Sequence, residues 1–161
     1  MPNNVIAKIV LVPKNPKFTV FIAIFLVLIV FIAGWLLLKP QNHTFYKSVK
    51  IKTLSYKLEV ANTDMSRQKG LSGRLGLQPG TGMLFDFKTD GNWGIWMPDM
   101  HFDIDVIWLD QTGHIIGLKN NVSPNTYPKV FYASKPSRYV IELPAGAVDS
   151  AGLKIGDVVD I

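Results

Sequence analysis

An α+β fold, mainly β, is what this sequence predicts. The expected form is a compact, barrel- or sandwich-like domain of about seven short strands with one short helix, preceded by a single transmembrane helix. Three observations carry that expectation. Residues 18–38 run for 21 positions without a charged or amide side chain. Beyond them, apolar and polar residues alternate in short segments, with the period of a pleated strand. Glycine, proline, asparagine and aspartate then separate those segments at turn-like positions.

At about 1.5 Å of rise per residue, residues 18–38 make roughly 31 Å of helix, enough to cross a hydrocarbon core of about 30 Å. A cleaved signal peptide has an apolar core of only about 7 to 15 residues. Ala33-Gly34-Trp35 is also a poor cleavage site, so the segment reads as an uncleaved signal anchor. Lys8, Lys14 and Lys17 precede it and Lys39, Lys47, Lys50 and Lys52 follow it, so the positive-inside rule hardly decides orientation. A short tail, one span and then a whole domain is the usual layout of a signal anchor. The chain therefore divides into a cytoplasmic tail (1–17), a transmembrane anchor (18–38), a linker (39–47) and a β-rich extracytoplasmic domain (48–161). The lipid bilayer is the expected partner through residues 18–38, and the expected location is the cell membrane, in a single pass.

The 161-residue chain has a formal charge of +5, but four lysines and no acid lie in residues 1–40. The remaining 121 residues carry a net charge of only +1. Nucleic-acid binding needs a basic face that displaces counterions from phosphates, and no such run exists, so a nucleic-acid partner is not expected. The absence of cysteine removes disulfides, thiolate metal sites and a cysteine nucleophile.

Along the domain, residues 47–60 alternate with a parity switch near Thr53-Leu54, which predicts either a bulge or two short strands. Thr63 can cap a short helix running to about Leu71, with Asp64 in its first turn and Gly70 and Gly73 limiting its length. Residues 77–82 are turn chemistry, residues 83–87 a strand and residues 88–94 a polar loop. Residues 102–109 form the central strand, and Asp110-Gln111-Thr112-Gly113 is a hairpin connection into residues 114–118. Residues 120–128 look irregular. Short strands are expected at 130–132, 139–143 and 158–161, with one helical turn at 145–151.

The central strand is the informative one. Phe102, Ile104, Val106 and Trp108 fall on one face, and Asp99, His101, Asp103 and Asp105 on the other. That second face continues with Ile107 and Leu109, so Asp105 stands where it passes from polar to apolar. A carboxylate there needs a partner, since an uncompensated buried charge costs several kcal/mol or shifts its pKa upward.

The motifs Thr63…Arg67…Gly70-Leu71-Ser72-Gly73-Arg74, Gly82-Met83-Leu84-Phe85-Asp86-Phe87 and Trp96-Met97 occur in that order. Asp105-Val106-Ile107-Trp108-Leu109-Asp110, Arg138-Tyr139-Val140-Ile141-Glu142-Leu143, Ala145-Gly146 and Gly156-Asp157 follow. In this set the chain resembles domain-of-unknown-function family 192, also called uncharacterised protein family 0127, over residues 48–161. The resemblance implies a single small β-rich domain, commonly exported or membrane-tethered in prokaryotes, and brings no reaction with it. After Trp96-Met97 this chain has Pro98-Asp99-Met100 and Asp103, where the family tends to have Lys-Asn-Thr and a proline.

Four groups of residues are candidates for function. Asp99, His101 and Asp103, with Asp105, offer carboxylates and an imidazole spaced about 7 Å apart along one strand face, which could converge on a divalent cation or mark an ordinary solvated face. Arg74 and Asp105 are expected to pair, with the guanidinium clamping the carboxylate and locking the helix end to the central strand; either residue could instead face a ligand. Trp93, Trp96 and Met97, with Met83 and Phe85, line an apolar cleft suited to a sugar ring or a peptide, or else belong to the core. Glu142 shares the parity of Val140 and reads as a structural acid, buried and hydrogen-bonded, or as one marking a solvent face.

No Gly-x-Ser-x-Gly context surrounds any serine, and His43, His101 and His114 are too scattered for a triad. The sequence therefore predicts a membrane-tethered extracytoplasmic module that binds an envelope glycan or peptide without turnover and without a cofactor. The alternative is a cation-dependent hydrolase or lyase built on Asp99, His101, Asp103 and Asp105.

Overall fold

The computed structural model describes residues 16–37 and 44–161, which fall in two separate units divided after His43. In the first unit, α1 (Pro16–Leu37) is a 22-residue helix. Its large apolar side chains, among them Phe21, Phe25, Val30 and Phe31, are exposed. Its side chains are described without interruption only over residues 20–36, and among the described residues no helix is long and apolar enough to cross a membrane. Residues 1–15 of the expected tail, Leu38 of the expected span, and residues 39–43 of the expected linker lie outside the described residues.

The second unit is built on one open, mixed sheet. Its strands are β1 (Tyr46–Ile51), β2 (Leu54–Ala61), β3 (Thr81–Gly91), β4 (Ile104–Leu109), β5 (Ile115–Val122) and β6 (Ser137–Pro144), in the spatial order β1-β2-β3-β6-β4-β5. Only β2 and β3 run parallel, joined by a crossover containing α2 (Asp64–Lys69); all other neighbours are antiparallel. A short helix, α3 (Ala147–Ala151), follows β6. The parity switch at Thr53-Leu54 marks a hairpin between two strands, with Lys52 left-handed at φ 52° in the turn.

The strand count and the barrel or sandwich form expected from sequence are corrected by this sheet. The segments at 130–132 and 158–161 make only isolated bridges, Ile95 to Phe131, His114 to Val158 and Lys50 to Asp160. The C-terminal segment thus touches the β5 side of the sheet at His114 and the β1 edge at Lys50. It caps both edges without adding a seventh strand, which satisfies exposed backbone groups that would otherwise invite pairing. Two strands are longer than expected: β3 continues to Gly91 through the anticipated loop, and β5 reaches Val122.

Both faces of the sheet are covered. Leu58, Leu84, Ile107, Leu109, Ile141 and Leu143 pack on one side with Val148 of α3 and Val159. Met83, Phe85, Val106, Trp108 and Val140 pack on the other with Leu71, Ile95, Met97 and Met100 from the connections. Every residue of β4 is buried, so the solvated face expected for the central strand is absent. A strand covered on both sides reads as a continuous apolar run, with Asp105 its one exception.

The helix α2 is fixed by its N-terminus. Thr63 accepts a hydrogen bond from Ser66 N while the Ser66 side chain accepts one from Thr63 N, a reciprocal capping box that satisfies two orphan donors. Gly70 ends the helix at φ 50° and turns the chain toward the face carrying Phe85.

Candidate functional site

The structure separates the residues that the sequence grouped. Asp105 is fully buried on β4. Its partner is not Arg74: one carboxylate oxygen accepts Asn121 N and the other accepts Val148 N, each at 2.8 Å. The first donor exists because β4 and β5 slip register, Ile104 pairing with Val122 but Val106 with Lys119. This bulge leaves Asn121 left-handed at φ 50° with its N–H directed away from the ladder. The second donor belongs to the first turn of α3, whose N-cap, Gly146, makes no side-chain hydrogen bond. Burial, and then the Asp105 charge, push the Tyr56 phenol up from its ordinary value.

Arg74 pairs instead with Glu59 on β2, at 2.8 Å and partly exposed. The expected clamp between Arg74 and Asp105 is therefore corrected to two separate arrangements. Asp105 ties sheet to helix through backbone donors, and Arg74 ties the loop after α2 to β2.

The expected cation ligands do not converge either. Asp99, His101 and Asp103 are exposed, and Asp99 and His101 approach to 3.7 Å. Asp105 is committed to its two backbone donors. Among the described residues no group of three histidine or acidic side chains is placed to hold a metal ion. Strand β4 begins only at Ile104, so the alternation expected to align these side chains does not extend to them.

A cleft of about 220 Å³ opens on the Phe85 side of the sheet. One wall is the end of α2 and the chain after it, including Arg67, Lys69, Gly70 and Ser72. The other is the connection from β3 to β4, including Trp96, Pro98 and Met100. Two hydrogen bonds hold these walls together, Ser72 Oγ to Pro98 O at 2.7 Å and Gly73 N to Asp99 O at 2.8 Å. Phe85 and Phe87 of β3 and Ile104 of β4 line the interior, with Glu142 of β6.

The placement of Glu142 follows from the sheet order. Because β6 lies between β3 and β4, Glu142 is flanked by its register partners Met83 and Val106, both apolar. It is 5 % exposed. Among the described residues no side chain or backbone group donates a hydrogen bond to its carboxyl group, and the Arg74 guanidinium acts on it only as a nearby charge. Burial pushes this carboxyl up to about 8, while the Arg74 charge pulls the other way. Near neutral pH it is thus largely protonated, an O–H donor facing a cleft. The expectation of a hydrogen-bonded structural acid is corrected in this respect.

The aromatic residues divide between cleft and core. Trp96 lines the cleft, is 47 % exposed, and has Tyr127 beside it at 5.6 Å between ring centres. Trp93 stacks on Phe87 at 4.2 Å and donates from Nε1 to Thr89 O, so it supports the wall from behind. Met83 and Met97 are core residues. Arg67 and Phe87 belong to the family motifs but were not among the candidate site residues: Arg67 donates from Nη1 to Asp86 O at 2.8 Å, lies 5.6 Å from the Phe87 ring centre and is paired with Asp64. Phe87 shares the parity of Phe85, which was its available signal.

Several known proteins are similar to this chain. The UPF0127 protein of Thermococcus sibiricus is 30 % identical over 112 residues, which cover 69 % of this chain and 70 % of that one. The UPF0127 protein of Thermococcus kodakarensis is 30 % identical over 104 residues, covering 64 % of this chain and 63 % of that one. Among solved structures, a Sinorhizobium meliloti 1021 protein described as a candidate transcription regulator superposes with a TM-score of 0.70 at 26 % identity, over 74 % of this chain and 96 % of that one. A protein of unknown function from Novosphingobium aromaticivorans shares the fold, with a TM-score of 0.70 at 23 % identity over 76 % of this chain and 89 % of its own. The family described as DUF192, Uncharacterized ACR, matches residues 47–161, and the chain belongs to that family.

Proposed function

We propose that this protein is a membrane-tethered binding module whose domain, outside the cytoplasm, holds a small ligand or ligand segment in the Glu142 cleft without transforming it. The observation that carries this reading is Glu142 itself. The residue is 5 % exposed, and its carboxyl group opens onto a cleft with aromatic walls and takes no hydrogen bond from the described residues, so it is left to a group that enters the cleft. Among the described residues no nucleophile with an adjacent base lines the cleft, which supports retention of the ligand over turnover. The nearly balanced charge of residues 41–161 gives no support to nucleic acid as that ligand.

The tether rests on α1. Its 22 residues correspond to about 33 Å of helix, and its exposed phenylalanines, isoleucines and valines are stable in lipid and not in water. Two measurements test the whole reading. The full chain should stay with membranes through an alkaline carbonate wash, and protease added to intact spheroplasts should remove the domain; release by the wash overturns the tether. A fragment screen by NMR on the detergent-solubilised full chain should perturb residues 67–72, 85–87, 94–100 and 142, with each fragment recovered unchanged. Conversion of a fragment, or no perturbation of these residues, overturns the binding reading.

A further inference from the structure

We infer that the cleft takes an alkylammonium group, with the Glu142 carboxylate as its counter-ion and the aromatic walls around its methylene chain. This inference rests on the binding reading and names the chemical class of the ligand. Two features point to a cation. Among the described residues Glu142 is the only acidic side chain lining the cleft, and none of them donates a hydrogen bond to its carboxyl group. The rings of Phe85, Phe87 and Trp96 line the same space, and aromatic faces attract ammonium groups, most strongly where water is excluded.

The basic residues nearby do not supply that cation. Arg67 is engaged by Asp86 O and Asp64, and Arg74 by Glu59, while Lys69 is exposed on the rim. The groups facing Glu142 from β3 and β4 are Met83 and Val106, neither of which titrates. Arg74 is therefore the charge that bears on its titration, and Arg67 and Lys69 are the basic residues that line the cleft with it. When an ammonium ion enters below pH 8, the Glu142 carboxyl releases its proton to solvent and the resulting carboxylate pairs with the cation. Binding of the cation and loss of one proton are linked.

The probe is n-butylammonium chloride, titrated calorimetrically into the detergent-solubilised full chain beside n-butanol and sodium butyrate, which share its shape without its charge. Butylammonium should bind at least tenfold more tightly than either. Its affinity should rise about tenfold per pH unit below the Glu142 titration and level off near pH 8, since an alkylamine stays protonated to about pH 10. Glu142→Gln should weaken binding at least tenfold and abolish the pH dependence. Nα-acetyl-lysine methylamide distinguishes the sources: tighter binding than butylammonium assigns a peptide lysine, and weaker binding assigns a free amine. Equal or tighter binding of butanol or butyrate overturns the cation assignment and leaves the binding reading standing. An unchanged affinity in Glu142→Gln, or no binding of any probe, also overturns the assignment, while the fragment screen separately decides whether the cleft binds at all.

Discussion

Asp105 caps a helix that begins more than forty residues away: its carboxylate accepts Val148 N at 2.8 Å, in the first turn of α3. Gly146, at the N-cap position, has no side chain to do so. The second oxygen accepts Asn121 N at the β-bulge, so one buried side chain holds strand, bulge and helix together. Replacing it with alanine strands the buried Val148 N–H, at a cost of about 1–3 kcal/mol, and the part-buried Asn121 N–H, at less, and leaves a hole where the carboxylate was. Asp105→Ala should lower stability by about 3 kcal/mol or more in a chemical denaturation experiment, and Asp105→Asn, which keeps one acceptor oxygen, by less. A midpoint unchanged in the alanine variant would remove this account.

Glu142 makes stability depend on pH in the opposite direction from a salt-bridged acid. Its carboxyl titrates near 4.5 when unfolded and near 8 when folded. Between those values the unfolded chain has lost a proton that the folded chain retains, so stability falls as pH rises. The favourable contribution is complete below pH 4.5 and is lost by about pH 8. Glu142→Gln removes that titration. It should therefore be more stable than the parent protein at pH 8 by a few kcal/mol, with the advantage shrinking toward pH 5. Denaturation midpoints for both proteins across that range check the sign; a parent protein that gains stability from pH 5 to 8 relative to the glutamine variant would contradict it.

How much of this was legible in the sequence depends on where the partner lies. The cap at Thr63 was legible because its acceptors and donors are three residues apart. Asp105 was legible as a buried acid, since Ile107 and Leu109 continue its face. Its partners were not, because they are backbone N–H groups exposed by a bulge and by a helix start, and a backbone donor has no residue signature. Arginine was the visible side chain of the right charge, and it went to Glu59. The cleft was half legible: Trp96 and Phe85 were seen, whereas Glu142 joins them only because β6 inserts between β3 and β4. That non-sequential order arises from long-range pairing, which alternation within one strand does not encode.

Arg74 offers a test that separates charge from packing. Its pair with Glu59 is partly exposed on both sides, so Arg74→Ala should cost about 1 kcal/mol or less. The same substitution removes the one positive charge that lowers the Glu142 titration. The Glu142 carboxyl should consequently titrate at higher pH in Arg74→Ala, followed through its carboxyl carbon resonance by NMR. An unchanged titration would place the guanidinium away from Glu142.

Gly82 ties the floor of the cleft to its neighbouring strand. It lies on β3 one residue before Met83, the register partner of Glu142. A Cβ at this position would stand 2.3 Å from Glu142 O and 2.8 Å from Leu143 Cδ2. The leucine tip can move, but the carbonyl oxygen belongs to a strand paired on both sides, so relief requires the two strands to separate. Gly82→Ala should therefore destabilise the domain by about 3 kcal/mol or more, beyond the usual cost of one added methyl group in a core. It should also displace Glu142, moving the NMR signals of residues 83 and 142 before those of β5. A variant as stable as the parent protein would mean that β3 and β6 are not held at this separation, and Glu142 would then lose the close apolar setting on which its raised titration depends.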